Sequence, residues 1–255
     1  MRIEVRKTEF GEIEPLRGLY RQEANCQIVR DSILSRKLAD PYLILVDGKV
    51  AGYAGVWNKY DPGRVMEFYA LPCVRAQALP MFRELLATSH ATEIEAQTNC
   101  PLQLLMLYDC ARDIKAETVL FTDGFTTGLP CPNGTFRKLP PEEQSKVFAH
   151  RAEPVGDWAI ETNGEVVATG GALYHYNPPY GDIYMEVAEH SRKMGFGSYL
   201  VQELKRVTYE VGKRPSARCD VTNVASRRTL QKAGFLPCAH ILVGTVIMEG
   251  IVNSK

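Results

Sequence analysis

The stretch Arg192–Ser198 has the composition of an anion-binding turn, with two basic side chains followed by Gly195 and Gly197. Glycine lets a phosphate approach the backbone closely, because no Cβ stands in the way. A helix that begins directly after the turn adds free N–H groups and the positive end of its dipole. These residues therefore predict a site for a diphosphate-bearing cofactor.

The elements on either side of this turn fit that requirement. Residues 182–188 have the pattern of a strand, and residues 199–207 have the pattern of a helix. An ordinary glycine-containing turn is one alternative, and a Rossmann dinucleotide-binding turn is another. Gly195 and Gly197 would supply the first two Rossmann glycines, but the third would fall at Leu200 and no series of strand–helix–strand units follows. The Rossmann alternative is therefore disfavoured.

A second motif follows a strand-like segment at residues 217–221. Its residues are Asn223, Ser226, Leu230, Lys232, Gly234 and Phe235. A purely structural interpretation also exists, because Asn223 or Ser226 is suited to cap a helix N-terminus. Gly234 is expected to end that helix, and Phe235 is expected to enter the core.

Together the two motifs resemble those of the GCN5-related N-acetyltransferase (GNAT) family. That family's acyl-CoA loop reads Arg/Gln-x-x-Gly-x-Gly/Ala, which Arg192, Gly195 and Gly197 match. The family's later signature, Asn-x-x-Ser/Ala with a following Gly-Phe, is matched by the second motif. The resemblance extends over residues 158–246 and departs from the family at Glu189, where a proline is usual.

The resemblance implies acetyl-CoA as co-substrate, with no metal, and assigns the residues that would hold it. The backbone of Met185 and Val187 would pair with the pantetheine arm, and the Val187 N–H would polarise the thioester carbonyl. Asn223 and Ser226 would lie along the distal pantetheine and the thiol. Arg192 belongs to the loop motif, and the diphosphate would bind the N–H groups of Lys193, Met194, Gly195, Phe196, Gly197 and Ser198.

The acid and base are less clear from the sequence. Attack by an amine needs a base for the ammonium proton and an acid for the leaving thiolate. Many family members place a tyrosine seven residues after the signature asparagine, where this chain has Leu230. Glu186, between Met185 and Val187, is the favoured base, and Tyr184 is the second catalytic candidate. A solvated glutamate and a packing tyrosine are the structural alternatives, and the aromatic loop 174–180 is either an acceptor-site lip or a packed hairpin end.

The sequence also indicates an internal duplication. Residues 42–55 and 158–171 both predict a β-hairpin, with Asp47-Gly48 and Asn163-Gly164 at the turns. A short strand, a break, an arginine and a helix follow each hairpin. The predicted fold is α/β (α+β), with two tandem GNAT-like domains, each a mixed, mostly antiparallel, V-splayed sheet flanked by helices. The predicted domains are 1–128 and 129–255.

The first copy departs from the second where the cofactor would bind. Ala78 and Pro80 stand where the second copy has Gly195 and Gly197. A side chain and a ring without an N–H would spoil the anion site, so the first copy is predicted to be degenerate. The helix predicted after Pro141 is short, and one hypothesis is that the first domain covers the acceptor site.

Net charge, the N-terminal segment and cysteine usage indicate which classes of partner and cellular compartment the sequence favours. The 30 basic and 30 acidic residues cancel, which gives no indication of binding to nucleic acid or to an anionic membrane. The N-terminus lacks the apolar core of a signal peptide, and no membrane span is predicted. Seven scattered cysteines without a CxxC pair indicate reduced thiols and a cytoplasmic protein.

The predicted function is an acyl-CoA-dependent N-acetyltransferase that acts on a small-molecule or peptide amine by direct attack in a ternary complex. The alternatives are a non-catalytic acyl-CoA sensor and a transferase of other acyl groups. The sequence does not identify the acceptor amine or the oligomeric state.

Overall fold

The structure is a computed structural model that describes residues 1–24, 27–176 and 178–247. Asn177, in the predicted aromatic loop, and residues 248–255 of the predicted second domain lie outside the described residues. The strands are β1 Ile3–Lys7, β2 Ala39–Val46, β3 Lys49–Trp57, β4 Arg64–Ala70, β5 Glu93–Gln97, β6 Ala111–Asp123, β7 Thr135–Lys138, β8 Trp158–Thr162, β9 Glu165–Leu173, β10 Tyr180–Val187, β11 Arg214–Asp220 and β12 Phe235–Val246. The helices are α1 Phe10–Glu23, α2 Asp31–Ser35, α3 Ala78–Ser89, α4 Pro101–Cys110, α5 Pro141–Gln144, α6 Phe196–Glu210 and α7 Val224–Lys232.

The chain divides into two compact units. Unit 1 comprises Met1–Thr118 together with the chain from Ala239 onward, and unit 2 comprises Val119–Cys238. Both β6 and β12 are divided between the units, because each strand runs past one of these bounds. The sequence predicts two continuous domains, 1–128 and 129–255, that meet at a single boundary. As functional domains these ranges stay a prediction.

Within each unit the strands pair in a mixed arrangement. The strand order in unit 1 is β1-β2-β3-β4-β5-β12, and in unit 2 it is β6-β11-β10-β9-β8-β7. Pairing is antiparallel from β1 to β4 and from β7 to β10, and parallel between β4 and β5 and between β10 and β11. Antiparallel pairing therefore dominates each sheet, as the sequence predicted.

The two predicted hairpins are present and have matching geometry. Asp47 and Gly48 have φ angles of 48° and 76°, and Asn163 and Gly164 have φ angles of 51° and 78°. Such left-handed conformations at both turn residues are what a two-residue hairpin requires, which explains the Asp-Gly and Asn-Gly pairs. In both hairpins the register shifts immediately after an isoleucine that precedes the turn. The same device at the same place supports duplication.

The two parallel pairs, β4–β5 in unit 1 and β10–β11 in unit 2, each separate after a short stretch of pairing. In unit 2, β10 pairs with β11 from Tyr180 to Ile183, although β10 continues to Val187. In unit 1 the corresponding pairing covers Arg64 and Val65 of β4. This divergence is the predicted V-shaped splay.

Helix α6 covers one face of the unit 2 sheet through a fully buried stripe. Leu200, Val201 and Leu204 are at most 1% exposed, and their spacing of one and four residues places them on one side of the helix. They pack with Val119, Phe121 and Phe235 in the unit 2 core. Burying one such side chain contributes about 1.5–3 kcal/mol, which fixes the helix, and with it the turn before it, on the sheet.

The structure adds two observations on the described residues. Cysteines 73, 100, 110, 131, 219 and 238 are free thiols. In the described part of the chain, no helix is both long and apolar enough to span a membrane.

Candidate functional site

The backbone of β10 presents alternate residues to its two neighbours. The Ala188 N–H donates to the Val167 carbonyl across the β9–β10 ladder at 2.9 Å. Hydrogen-bonded and non-hydrogen-bonded pairs alternate in an antiparallel ladder, so the backbone groups of Met185 and Val187 point away from β9. They point toward β11, from which β10 has diverged beyond Ile183. The splay therefore gives these two residues the backbone orientation predicted for binding pantetheine.

The turn before α6 has the conformation that its glycine predicted. Gly195 has a φ of +96° and is the N-cap of α6, and Lys193 also has a positive φ of 64°. Gly195 has no side chain to cap the helix, and the Tyr199 N–H donates to the Gly195 carbonyl at 3.1 Å. The N–H groups of the helix's first turn, from Phe196 to Ser198, precede this bond and have no acceptor within the helix. This is the local geometry of an anion site.

Gly197 brings the turn, β10 and α7 together. A Cβ built on Gly197 would lie 3.2 Å from the Thr229 methyl carbon, 3.3 Å from a Val187 methyl carbon and 3.5 Å from Cε of Met185. The glycine thus allows the helix N-terminus to approach the strand. The same contacts show that the side chains of Met185 and Val187 lie on the α6 face of the sheet.

The side chains of the remaining loop residues have different environments. Arg192 donates from Nε to the Val187 carbonyl at 3.3 Å, which ties the turn to the end of β10. Lys193 and Met194 are exposed, so their predicted contribution depends on the backbone. Phe196 and Ser198 are buried, and Phe196 belongs to the unit 2 core.

Asn223 is the N-cap of α7. Its Oδ1 accepts a hydrogen bond from the Ser226 N–H at 3.0 Å, which is the capping interaction considered for this motif. Leu230, at the position of the usual tyrosine, is buried in the core. The predicted contacts of Asn223 and Ser226 with the co-substrate stay a prediction.

Glu186 is bound by a loop that sequence reasoning did not identify. Its carboxylate accepts the N–H groups of Arg151, Ala152 and Glu153 at 2.9, 3.1 and 3.2 Å. The His150 Nδ1 lies 3.7 Å from Glu186 Oε2. Burial of the carboxylate opposes its ionisation, but the three N–H donors and the nearby imidazole outweigh burial and lower the pKa of Glu186. Glu186 is thus neither a freely solvated strand glutamate nor a strong base.

Tyr184 lies on the same face of β10 as Glu186, because alternate residues share a face. Partial burial, followed by the negative charges of Asp157 and Glu153, raises the pKa of Tyr184. Its phenol is therefore protonated at neutral pH. A Cβ on the cross-strand Gly171 would lie 2.8 Å from the Tyr184 hydroxyl, so the ring lies over that glycine.

Glu153 and Arg218 are further charged residues near this face. The pKa of Glu153 is raised by desolvation and then by Asp182 and Glu186, while Arg218 opposes the rise. Glu153 is exposed as a whole residue, and its carboxylate lies near the acidic groups of Asp182 and Glu186. Arg218 pairs with Asp182 at 3.1 Å and lies over the Tyr176 ring at 4.7 Å. No motif marks these residues, and the fold alone brings them together.

The equivalent site in unit 1 is built differently. A 3₁₀ helix, Pro72–Gln77, runs directly into α3, and Ala78 has an ordinary helical φ of −58°. Strand β4 of this unit carries Glu67 and Tyr69. Glu67 binds the buried Arg17 guanidinium at 2.9 and 3.2 Å and also accepts the Tyr53 hydroxyl. The Tyr69 hydroxyl donates to Glu23 at 2.6 Å, and burial together with this carboxylate raises the pKa of Tyr69 to about 12.

The described residues contain no group of three or more His, Cys, Asp or Glu side chains arranged to hold a metal ion. The predicted site residues of β10 and of the turn before α6 lie in two groups. The N-terminal turn of α6, Arg192, Met185 and Val187 are brought together on the α6 side of β10. Glu186 and Tyr184 lie on the opposite face.

Comparisons with known proteins were made with the sequence and with the structure. Residues 126–235 match the model of the acetyltransferase (GNAT) family. A search of curated proteins with the sequence found no significant match.

Solved structures share the fold over nearly the whole chain. An acetyltransferase of the GNAT family from Colwellia psychrerythraea superposes with a TM-score of 0.77 and 14% identity, covering 96% of this chain and 100% of its own. A tandem GNAT protein from the clavulanic acid biosynthesis pathway, without AcCoA, superposes with a TM-score of 0.64 and 14% identity over 96% of this chain and 98% of its own. A GCN5-related N-acetyltransferase from Sphaerobacter thermophilus gives a TM-score of 0.60 and 15% identity over 95% of each chain.

At these identities the structural matches show the fold, and the family match covers the segment that contains the Gly195 turn and the splayed strand. This combination supports acyl-CoA-dependent N-acetyltransferase activity in general terms. Residues 126–235 therefore belong to the acetyltransferase (GNAT) family, within a chain that has the fold of tandem GNAT proteins.

Proposed function

We propose that unit 2 transfers an acetyl group from acetyl-CoA to a primary amine of a small molecule or peptide. The observation that supports this most directly is the position of the left-handed Gly195 turn beside the splayed end of β10. A diphosphate on the first turn of α6 would leave the pantetheine arm to run along Met185 and Val187. Acetyl-CoA fits this arrangement because it carries both groups.

The donor is held by backbone groups. N–H groups between Lys193 and Ser198 bind the diphosphate, and the backbone of Met185 and Val187 pairs with the pantetheine arm. The Val187 N–H polarises the thioester carbonyl and stabilises the charge that develops on its oxygen. Arg192 fixes the end of β10 through the Val187 carbonyl. Asn223 and Ser226 line the thiol end of the site.

The reaction is a direct attack within a ternary complex. The amine nitrogen forms a bond to the thioester carbon as the bond from that carbon to sulfur breaks. Glu186 takes the first proton of the ammonium group, directly or through water. The CoA thiolate gains a proton from the Tyr184 phenol, and the second proton that leaves the nitrogen as the amide forms restores that phenol. Holding both substrates on β10 supplies much of the rate by removing the entropic cost of their encounter.

The second candidate function is an acyl-CoA sensor without turnover. Two observations favour it: Leu230 replaces the usual tyrosine, and Glu186 already accepts three backbone hydrogen bonds. Assay of acetyl-CoA consumption with a panel of amines separates the candidates. Binding of acetyl-CoA without consumption in the presence of any amine would favour the sensor.

The donor site is tested by Gly195→Glu, with acetyl-CoA affinity measured by calorimetry. A carboxylate at the helix N-terminus would repel the diphosphate and occupy its space, so binding should weaken at least about 100-fold, equal to about 2.8 kcal/mol. Gly212→Glu is a matched control. Gly212 also has a positive φ, +71°, at the other end of α6, so the control carries similar backbone strain far from the turn. Equal affinities for the two variants and the wild type would refute the donor site.

A further inference from the structure

The loop 150–156 is held against β9 and β10 by a small set of polar contacts. The His150 Nε2 lies 3.0 Å from the Thr169 hydroxyl, and His150 Nδ1 lies 3.0 Å from the Glu153 carbonyl oxygen. The Gly156 N–H donates to the same Thr169 hydroxyl at 3.3 Å. Both ends of the loop are therefore fixed at one buried threonine on β9.

The backbone at Gly156 lies too close to β9 to admit a side chain. A Cβ on Gly156 would lie 2.0 Å from the Gly170 carbonyl oxygen, which belongs to β9. Between the two anchors, three consecutive N–H groups point at Glu186. Glu186 and Thr169 are directly opposite each other on β10 and β9. The loop therefore binds both members of one cross-strand pair.

We propose that His150 is a positioning residue for Glu186, which it orients through the loop 150–156. The inference rests on the proposed function, in which Glu186 accepts the ammonium proton. The imidazole connects Thr169 to the Glu153 carbonyl and so holds the three N–H donors in place. Those donors fix the orientation of the Glu186 carboxylate on the face of β10 that also carries Tyr184.

The contacts of His150 determine which nitrogen carries its proton in the neutral ring. A carbonyl oxygen can only accept, so Nδ1 must carry the hydrogen that is donated to Glu153. Nε2 is then the acceptor for the Thr169 hydroxyl, whose oxygen accepts the Gly156 N–H. The ring stacks on Phe148 with centroids 4.7 Å apart, and its side chain is 8% exposed. Asparagine can reproduce the Nδ1 donor, whereas alanine reproduces neither contact.

Removing the imidazole should change the ionisation of Glu186. Without the loop's N–H donors, partial burial of the carboxylate is no longer outweighed, and its pKa rises. The titratable and charged groups around it are His150 and Glu153, with Asp182 and Arg218 beyond Glu153. The Arg151 guanidinium is engaged with Glu189 at 2.7 Å. A base works when deprotonated, so a higher pKa moves the acid limb of the kcat profile to higher pH.

The experiment compares His150→Ala, His150→Asn and Thr169→Val with the wild type and with His190→Ala. His190 is on the surface of the same unit, with a 60% exposed side chain beside Glu165. We expect His150→Ala to lower kcat by about 10- to 100-fold with little change in KM for acetyl-CoA. The acid limb should move to higher pH in both His150→Ala and Thr169→Val. His150→Asn should recover part of kcat, and His190→Ala should match the wild type.

A nitrogen NMR spectrum of the imidazoles gives a readout that does not depend on turnover. The signal lost in His150→Ala identifies His150 among the five histidines. We expect its neutral form to carry the proton on Nδ1. A proton on Nε2, or a kcat and acid limb unchanged in both His150→Ala and Thr169→Val, would overturn the positioning role. If the wild type itself consumes no acetyl-CoA with any amine, the proposed function fails, while the NMR result still reports on the loop.

Discussion

The arginine that follows β4 in unit 1 and the arginine that follows β10 in unit 2 have the same local role. Arg192 donates from Nε to the carbonyl of Val187, and Arg75 donates from Nε and Nη2 to the carbonyl of Ala70 at 3.2 and 2.9 Å. Ala70 and Val187 occupy equivalent register positions, because each lies opposite the residue that directly follows the unpaired bulge residue of its hairpin. The turn after β4 has no glycine, yet its arginine makes the same contact as Arg192. We therefore assign the guanidinium a structural role, which is to stabilise the turn. Any contact of Arg192 with acetyl-CoA therefore comes in addition to this structural role.

Asn223 allows a test that separates capping from co-substrate binding. Its Oδ1 caps α7, and its amide nitrogen is the group available for a pantetheine contact. Asn223→Asp keeps an oxygen for the Ser226 N–H, so we expect the free energy of unfolding to stay within about 0.5 kcal/mol of the wild type. Acetyl-CoA affinity should fall because the amide N–H groups are lost. Urea unfolding and calorimetry measure the two effects.

Asn223→Ala completes this comparison. It removes the cap and the amide together, so unfolding should become easier by about 1 kcal/mol and acetyl-CoA affinity should fall as in Asn223→Asp. Wild-type affinity in both variants would contradict the predicted contact and leave Asn223 as a cap alone.

At the scale of elements, the turns that follow β4 and β10 explain why only unit 2 is proposed to bind acetyl-CoA. In unit 2 the turn contains left-handed residues and ends at a helix N-terminus without a side-chain cap. In unit 1 a 3₁₀ helix leads into α3 without a left-handed residue, and Pro80 lacks an N–H. Beyond the β4–β5 pairing, side chains also form hydrogen bonds with the backbone. Gln97 donates to the carbonyl of Ile28, and Gln103 donates to the carbonyl of Glu95.

This difference predicts one acetyl-CoA per chain. Calorimetric titration of the wild type should give a stoichiometry of one, and Gly195→Glu should remove it. The double variant Ala78→Gly and Pro80→Gly should still bind one, because restoring glycine does not remove the 3₁₀ helix or the bonds of Gln97 and Gln103. A stoichiometry of two in the wild type would contradict the degenerate first copy.

The elements that could be predicted from the sequence are those encoded by local patterns. Asp47-Gly48 and Asn163-Gly164 specify their turns because few residues tolerate left-handed backbone, and Gly195 marks the α6 turn for the same reason. The loop 150–156 has no such pattern. Its contacts join residues about 35 positions apart, and backbone N–H donors leave no trace in residue type. Glu186 could therefore be singled out, but its lowered pKa and its partners could not.

At the scale of the molecule, the C-terminal segment of each copy belongs to the unit formed by the other copy. Residues 119–123 of β6 follow the first copy along the chain but lie in unit 2, where Val119 and Phe121 are fully buried. Residues from Ala239 follow the second copy but lie in unit 1, where Leu242 and Val246 join the core and β12 pairs with β5. Patterns of hydrophobicity identify such strands but not the sheet that they complete.

This exchange predicts that fragments 1–128 and 129–255 do not fold when expressed separately. Fragment 129–255 would lack Val119 and Phe121, whose burial contributes about 1.5–3 kcal/mol each, a large share of a net stability of about 5–15 kcal/mol. Fragment 1–128 would lack β12, which would leave β5 as an unpaired edge prone to aggregation. Circular dichroism should show no cooperative unfolding for either fragment, and co-expression should recover a complex that unfolds cooperatively.

Fragment 119–238 is the matched control, since it retains the whole of unit 2. Cooperative unfolding of 129–255 alone, with a midpoint equal to that of the control, would show that residues 119–123 contribute little to the unit 2 core.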